Sequence, residues 1–394
     1  MTAGAADILF LTPQFPLSLD WGGGIRTWHV LNRLRRYGKV CVLAMKSGDG
    51  PVPEGCEVHV EPIALGGVRS AATRVTSLLN GTSMALAQYR SERFGARVAE
   101  LAKAARVKWV AADHLVMAEY ALSVPGASTV FFAHNAEQTI WRRRADAAGA
   151  AKRWLSEREY RKVSEIENDV CRRFDAVFFP TDGDVQAVFG ASAPKRRIAT
   201  IENGVDAAFL CPMPVQEHGS EVLLPGSFFY DANRDAAEFF VREVWPAVLG
   251  SVPETRLHIV GKGASRLART LGTADGVRIS SDVPDMKPYF DDARVMVVPL
   301  RIGGGSRLKI IESMARGTPV VSTTIGAEGL AVSPGVHLSI ADDPAGFAAQ
   351  VVALLKDREQ WLRLTSAARL WAERRYTWET VTAPVAGLFA AEEN

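Results

Sequence analysis

The chain has 394 residues, of which 47% are hydrophobic and 23% charged, and 46 Lys plus Arg stand against 44 Asp plus Glu for a formal net charge of +2. At roughly 100–200 residues per domain, that length predicts two or three domains with packed cores. The apolar content excludes a disordered chain, and the near-balance of charge excludes a dedicated nucleic-acid binder. Cys41, Cys56, Cys171 and Cys211 form no close pair, which fits neither a disulfide scaffold nor a zinc pattern. No apolar run approaches the roughly 18–20 residues of a membrane span. Residues 1–10 lack a basic start and carry Asp7, unlike a secretory signal, so a cytoplasmic location is expected. The charge total hides a division. Residues 1–200 hold 27 basic and 20 acidic side chains, and residues 201–394 hold 19 and 24. Halves of opposite sign predict two domains with different partners.

Residues 7–12, Asp-Ile-Leu-Phe-Leu-Thr, predict a buried parallel strand ending at Pro13. A loop with Gly22-Gly23-Gly24 follows, then a helix over 25–37 stopped by Gly38, then a strand over 40–45. Helices are expected over 96–105 and 138–174, and strands over 107–112, 129–133, 176–179 and 198–202. The pattern breaks at Asn203-Gly204-Val205-Asp206. The proline-spaced stretch 211–215 predicts a linker, since proline resists both helix and central strand. Strands then return over 221–225, 256–260, 277–280, 295–299 and 319–322. Helices are expected over 232–250, 307–316, 347–356 and 359–375. The chain is therefore α/β in two halves. Ligands are expected beyond the carboxyl ends of the strands and in the cleft between the halves.

The strongest chemical signal runs from Val295 to Thr323. It predicts a strand, a loop with Gly304 and Gly305, and a helix opening near Ser306, whose free N–H groups and dipole suit an anion. Arg307 and Lys309 add cations, and Arg suits bidentate phosphate contact. Glu312, farther along the same helix, can accept both hydroxyls of a ribose. The bland alternative is a plain strand–helix turn with surface charges.

The stretch 299–323 resembles the signature of family 4 retaining glycosyltransferases of the GT-B fold. In that signature a Glu, seven residues and a second Glu precede an Ala-Met-Ala-x-Gly-x-Pro-Val-Val-like run. Glu312 takes the second Glu position, and Ser313-Met314-Ala315-Arg316-Gly317-Thr318-Pro319-Val320-Val321 follows it. The first Glu is replaced by Gly304, which shifts sugar recognition toward the backbone N–H groups of Gly304 and Gly305. Gly22-Gly23-Gly24-Ile25-Arg26 resembles the family's N-terminal glycine loop, where Gly23 and Gly24 would let the backbone approach the donor diphosphate or the acceptor. Phe131-Phe132-Ala133-His134-Asn135 resembles the strand-end histidine near the reacting sugar. On residues alone His134 reads as a hydrogen-bonded structural histidine; the resemblance assigns it to the active site. Where the family carries an Arg and a Lys for the diphosphate, this sequence has Ser227 and Asn233. Arg307 and Lys309 are expected to replace those charges, with Arg234 a spare candidate. Val283 lies where the family holds the nucleotide base through backbone groups.

The resemblance implies two Rossmann-like domains facing a central cleft. Residues 1–208 would hold the acceptor, 209–217 would be the linker, and 218–375 would hold the sugar nucleotide. A C-terminal helix over 376–394 would pack on the first domain. The implied reaction moves a sugar from a nucleotide-sugar donor, UDP- or GDP-linked, to a hydroxyl acceptor with retention. It needs no obligatory metal or other cofactor. A GT-B epimerase or hydrolase acting on sugar nucleotides, and a non-catalytic binding paralogue, share the same donor features. The run 138–173 holds 10 basic and 6 acidic residues, interleaved with Trp141, Trp154 and Tyr160. It predicts either a surface that touches anionic lipid or a solvated helix with ion pairs to Glu157, Glu159, Glu165 and Glu167. The first reading adds a place on the inner face of the membrane and an acceptor that is lipid-linked or anionic.

Overall fold

The structure, a computed structural model, describes residues 6–16, 22–63, 67–146, 149–190, 198–215, 217, 219–302 and 308–389, without the side chains of 67–71, 150 and 151. The chain forms two units. Unit 1 is Met1–Glu202 with Thr382–Asn394, and unit 2 is Asn203–Val381.

Unit 1 is built on strands β1 (Ile8–Thr12), β2 (Val40–Ala44), β3 (Glu57–Val60), β4 (Trp109–Asp113), β5 (Ser128–Phe132), β6 (Ala176–Phe179) and β7 (Ile198–Thr200). They pair in parallel in the order β3-β2-β1-β4-β5-β6-β7. Side chains alternate across β1. Leu9 and Leu11 enter one apolar core with Leu43, Val110 and Phe131, while Ile8 and Phe10 enter the other with Val42, Ala111 and Phe132. Both faces are therefore covered, which is why these strands appear in the sequence as continuous apolar runs. The helices are α1 (Gly22–Leu34), α2 (Gly67–Leu79), α3 (Met84–Ala87), α4 (Glu92–Ala105), α5 (Ala118–Leu122), α6 (Glu137–Asp146), α7 (Ala150–Arg173) and α8 (Asp182–Phe189).

Two sequence expectations change here. Gly23 and Gly24 lie in the first turn of α1 rather than in a loop; first-turn N–H groups have no intrahelical acceptor, so glycine costs little there. The helix expected over 138–174 is two, because Gly149 is extended (φ −69°, ψ 163°) and forms the N-cap of α7.

Unit 2 carries β8 (Glu221–Pro225), β9 (Arg256–Gly261), β10 (Val277–Ser281), β11 (Ala293–Val298), β12 (Val320–Ser322) and β13 (Ser339–Ile340), in the order β10-β9-β8-β11-β12-β13. Its helices are α9 (Asp231–Phe239), α10 (Trp245–Ser251), α11 (Ala268–Leu271), α12 (Lys287–Asp292), α13 (Leu308–Arg316), α14 (Pro344–Lys356) and α15 (Arg358–Arg375). The helix expected over 232–250 is interrupted by a π-helical turn over Phe240–Val244. Pro246 sits in the first turn of α10, lacks an N–H, and forces the hydrogen-bond ladder to re-register.

The linker expected over 209–217 is anchored in unit 2. The Cys211 N–H donates to the Ala315 carbonyl and Arg369 donates to the Cys211 carbonyl, each at 2.8 Å. The chain also does not run as one helix over 376–394. Trp378–Val381 belongs to unit 2, whereas Ala383–Val385 and Ala386–Phe389 belong to unit 1. There Val385 enters the core with Ile8 and Phe10. Phe389 stacks on Tyr37 at 4.5 Å and lies 5.3 Å from the Trp109 ring.

Both sheets reverse strand order at one place, β1/β4 in unit 1 and β8/β11 in unit 2. In open parallel sheets the carboxyl ends at such a switch point are where ligands bind.

Candidate active site

In unit 1 the residues that end β1, β4 and β5 meet around one buried carboxylate. Asp113, the last residue of β4, is 1% exposed. Its Oδ2 accepts from Thr12 Oγ1 at 2.9 Å and from Thr27 Oγ1 of α1 at 3.1 Å. His134, just past β5, lies with Nε2 2.6 Å from Oδ1, and His114 has Nδ1 3.3 Å from Oδ2. The two imidazoles stack with centroids 3.7 Å apart and planes 15° off parallel. His114 takes φ +76°, a region that costs a non-glycine residue about 1–3 kcal/mol.

The charges sort themselves. Burial opposes ionisation of Asp113, yet His134 and His114 hold it well below the usual carboxylate range. Burial would lower His114, but the adjacent Asp113 carboxylate outweighs it and raises it. Burial, then the His114 charge, pushes His134 down to about 4. At neutral pH His134 is therefore neutral. The carboxylate is acceptor-only, so the neutral His134 must hold its proton on Nε2, leaving Nδ1 as a lone-pair acceptor.

Asp113, His114 and His134 also bring their ligand atoms within 4.8 Å of one another, close enough to suggest a shared cation. The geometry argues against one ion held by all three. Each imidazole lone pair lies in its ring plane, and two nearly parallel stacked rings aim those lone pairs side by side rather than at a shared point.

Neighbouring groups hold His134 in place. Arg26, 2% exposed on α1, donates to the Ile201 carbonyl and, at 3.3 Å, to the Ala133 carbonyl. Burial lowers it to about 10, so it stays charged. On the other side of His134, the Ala136 N–H donates to Asp184 Oδ1 at 2.8 Å. The Glu137 and Gln138 N–H groups donate to Glu167 of α7 at 2.8 and 3.1 Å. Asp182-Gly183-Asp184 has an Asp-x-Asp spacing. Asp184 is bound to Ala136 and to the Thr181 hydroxyl at 2.6 Å, a bracing role.

In unit 2 the donor candidates divide. Gly304, Gly305, Ser306 and Arg307 lie outside the described residues. Lys309, in the first turn of α13, donates from Nζ to the Pro225 carbonyl at the end of β8 (2.8 Å) and to Asn233 Oδ1 (3.3 Å). Its ammonium thus stands beside the position where the sequence lacks a lysine. Glu312 follows on the same helix. Burial pushes it up to about 7, with Lys309 pulling the other way. The Arg234 guanidinium turns back to the Phe228 and Phe229 carbonyls, both 2.9 Å, and to Asp231, bracing its own turn. Ser227 contributes its carbonyl to Asn233 Nδ2 at 2.8 Å. Val283 is half-buried just past β10. The ends of β8 and β9 approach so closely that a Cβ on Gly261 (φ +140°) would sit 2.0 Å from the Gly226 carbonyl oxygen.

Asp113, His114, Thr12 and Thr27 are the residues that sequence reasoning missed. An acidic residue directly after the apolar run Val110-Ala111-Ala112 was the available signal.

Comparison with known proteins supplies the context. Residues 219–357 match the family model described as glycosyl transferases group 1. The chain is 31% identical over 199 residues to a phosphatidyl-myo-inositol mannosyltransferase of Mycobacterium leprae, covering 47% of this chain and 51% of that protein. The match spans less than two thirds of the length of each curated relative compared. Among solved structures, sucrose-phosphate synthase from Thermosynechococcus elongatus superposes with a TM-score of 0.73 at 15% identity, covering 98% of each chain. Anabaena HepE in complex with UDP and glucose does so with a TM-score of 0.68 at 14% identity, covering 98% of this chain and 99% of that one.

Proposed function

We propose that this chain, whose residues 219–357 match the group 1 glycosyltransferases and whose two Rossmann-like sheets have the GT-B fold, transfers a sugar from a uridine-diphosphate donor to a hydroxyl acceptor with retention. The observation that carries this reading is Lys309 Nζ at the carboxyl end of β8, in the gap left by Asn233, with Glu312 behind it on the same helix. The cation stabilises charge that gathers on the diphosphate as the anomeric C–O bond breaks. Glu312 accepts the ribose hydroxyls. The choice of uridine rests on HepE, which was solved with UDP and with UDP-glucose.

Unit 1 takes the acceptor. The bond formed joins the acceptor oxygen to the anomeric carbon, the nucleoside diphosphate leaves, and the acceptor proton passes to a donor phosphate oxygen on the same face. His134, locked by Asp113 with Nδ1 unprotonated, accepts a hydrogen bond from the sugar or acceptor and orients it.

A thermal-shift screen over UDP-, GDP-, dTDP- and ADP-sugars tests the donor. A UDP-sugar at a hundredfold excess over Kd should stabilise the fold by about 2.7 kcal/mol, and Lys309→Ala should abolish most of that shift. Absence of a shift with every nucleotide sugar overturns the reading. Mass spectrometry of the product separates transfer from hydrolysis or epimerisation.

A further inference from the structure

Helix α2 is inside out. Its polar Ser77 is 3% exposed, whereas Val75, Leu78 and Leu79 are 58%, 39% and 81% exposed. Spaced i, i+3 and i+4, these three share one stripe of the helix. Trp154 of α7 is 60% exposed. Arg158, one turn farther along α7, donates to the Ser77 and Thr82 carbonyls at 2.8 and 3.0 Å, which ties that face of α7 to the end of α2. Unit 1 leaves five large apolar side chains exposed among the described residues: Val52 and these four. Scattered apolar residues on a surface are ordinary, but a grouped set marks an interaction site.

Cations rim the group. Arg74 adjoins Val75, and Arg161 follows Trp154 at i+7 on the same side of α7; both are exposed. The run 138–173, where the sequence pointed, contributes little beyond these. Arg142 packs over Tyr160 and Arg144 over Trp141. Lys162, Arg153 and Arg173 pair with Glu165, Glu157 and Asp169.

We propose that this patch docks unit 1 on the surface of an anionic lipid bilayer. α2 lies in the plane of the interface, with Val75, Leu78, Leu79 and Trp154 at the acyl boundary and Arg74 and Arg161 at the level of the phosphates. Charge selects the occupant. An apolar stripe with an indole and a cationic rim matches an anionic headgroup layer over hydrocarbon. No helix among the described residues is long and apolar enough to cross a membrane, so the contact is superficial. Docking needs no donor and stands apart from the transfer reading.

Flotation of the full chain with vesicles tests it, using phosphatidylcholine alone or mixed with phosphatidylglycerol. The chain should float with the mixed vesicles only, and raised salt should release it. V75E/L79E should reduce the bound fraction about tenfold or more, and R74E should weaken binding while leaving the apolar stripe intact. Both variants change exposed positions, so an unchanged melting temperature verifies that they fold. The proposal is overturned if the chain stays down with anionic vesicles, or if V75E/L79E floats as well as the parent. It also fails if light scattering finds a dimer that V75E/L79E dissolves, which would assign the patch to a second copy.

Discussion

Around Asp113 one carboxylate fixes the tautomer of His134, and this decides what that ring can do. A neutral imidazole cannot serve as a general acid near neutrality, but its free nitrogen can accept. Glu312 behaves differently, because burial pushes it to about 7, within the physiological range. Only the ionised carboxylate is a full acceptor for two ribose hydroxyls. Donor affinity should therefore fall as pH drops through that value, by roughly tenfold between pH 8 and pH 6. Calorimetric titration with UDP measures it, and Glu312→Gln should flatten the profile while weakening binding throughout. A pH-independent affinity in the parent chain removes Glu312 from the ribose. Glu312 and His134 were legible in the sequence because each sits in a short local pattern. Asp113 was not, since its partners Thr12 and Thr27 lie 101 and 86 residues away and no spacing in the chain encodes their meeting.

At the scale of elements, α7 acts as a ruler. Its Glu159 and Glu167, both fully buried, accept the first-turn N–H groups of α3 and α6. These are N–H groups that no helix can satisfy internally. Glu167→Ala should leave two such donors buried and cost about 2–4 kcal/mol, read by urea unfolding. Burial also raises Glu167 to about 8. A raised acid binds its proton more tightly folded than unfolded, so its contribution to stability is fully present at low pH. It is lost as pH rises from the ordinary carboxylate value, near 4.5, through about 8. Glu167→Gln should accordingly compare best with the parent at pH 8.5 and worst at pH 5; a constant difference would contradict the shift. The strands buried on both faces were readable as apolar runs. β3 was not, because each of its four residues is only half-buried. α2 was not, because its apolar stripe faces outward and carries no core signal.

For the whole molecule, the near-zero net charge proved a poor summary. The basic half is unit 1, which carries the proposed membrane patch, and the acidic half is largely unit 2, which carries Lys309 and Glu312. The chain passes between the units twice, at Glu202–Asn203 and at Val381–Thr382. A chain ending at Val381 should lose the Val385 and Phe389 contacts of unit 1. Hydrogen exchange should then rise across β1, β2 and β4 while β8 and β11 remain protected. Equal protection in both sheets would show that the returning segment is dispensable.

That second crossing sets an order of events during synthesis. Unit 2 is an uninterrupted stretch inserted into unit 1, so it can close as soon as it leaves the ribosome. Unit 1 emerges first and finishes last. At about 5–20 residues per second, its sheet waits roughly 10–40 seconds for Val385 and Phe389, with the faces of Tyr37 and Trp109 uncovered. The half of the molecule made earliest is the one most in need of protection by a chaperone.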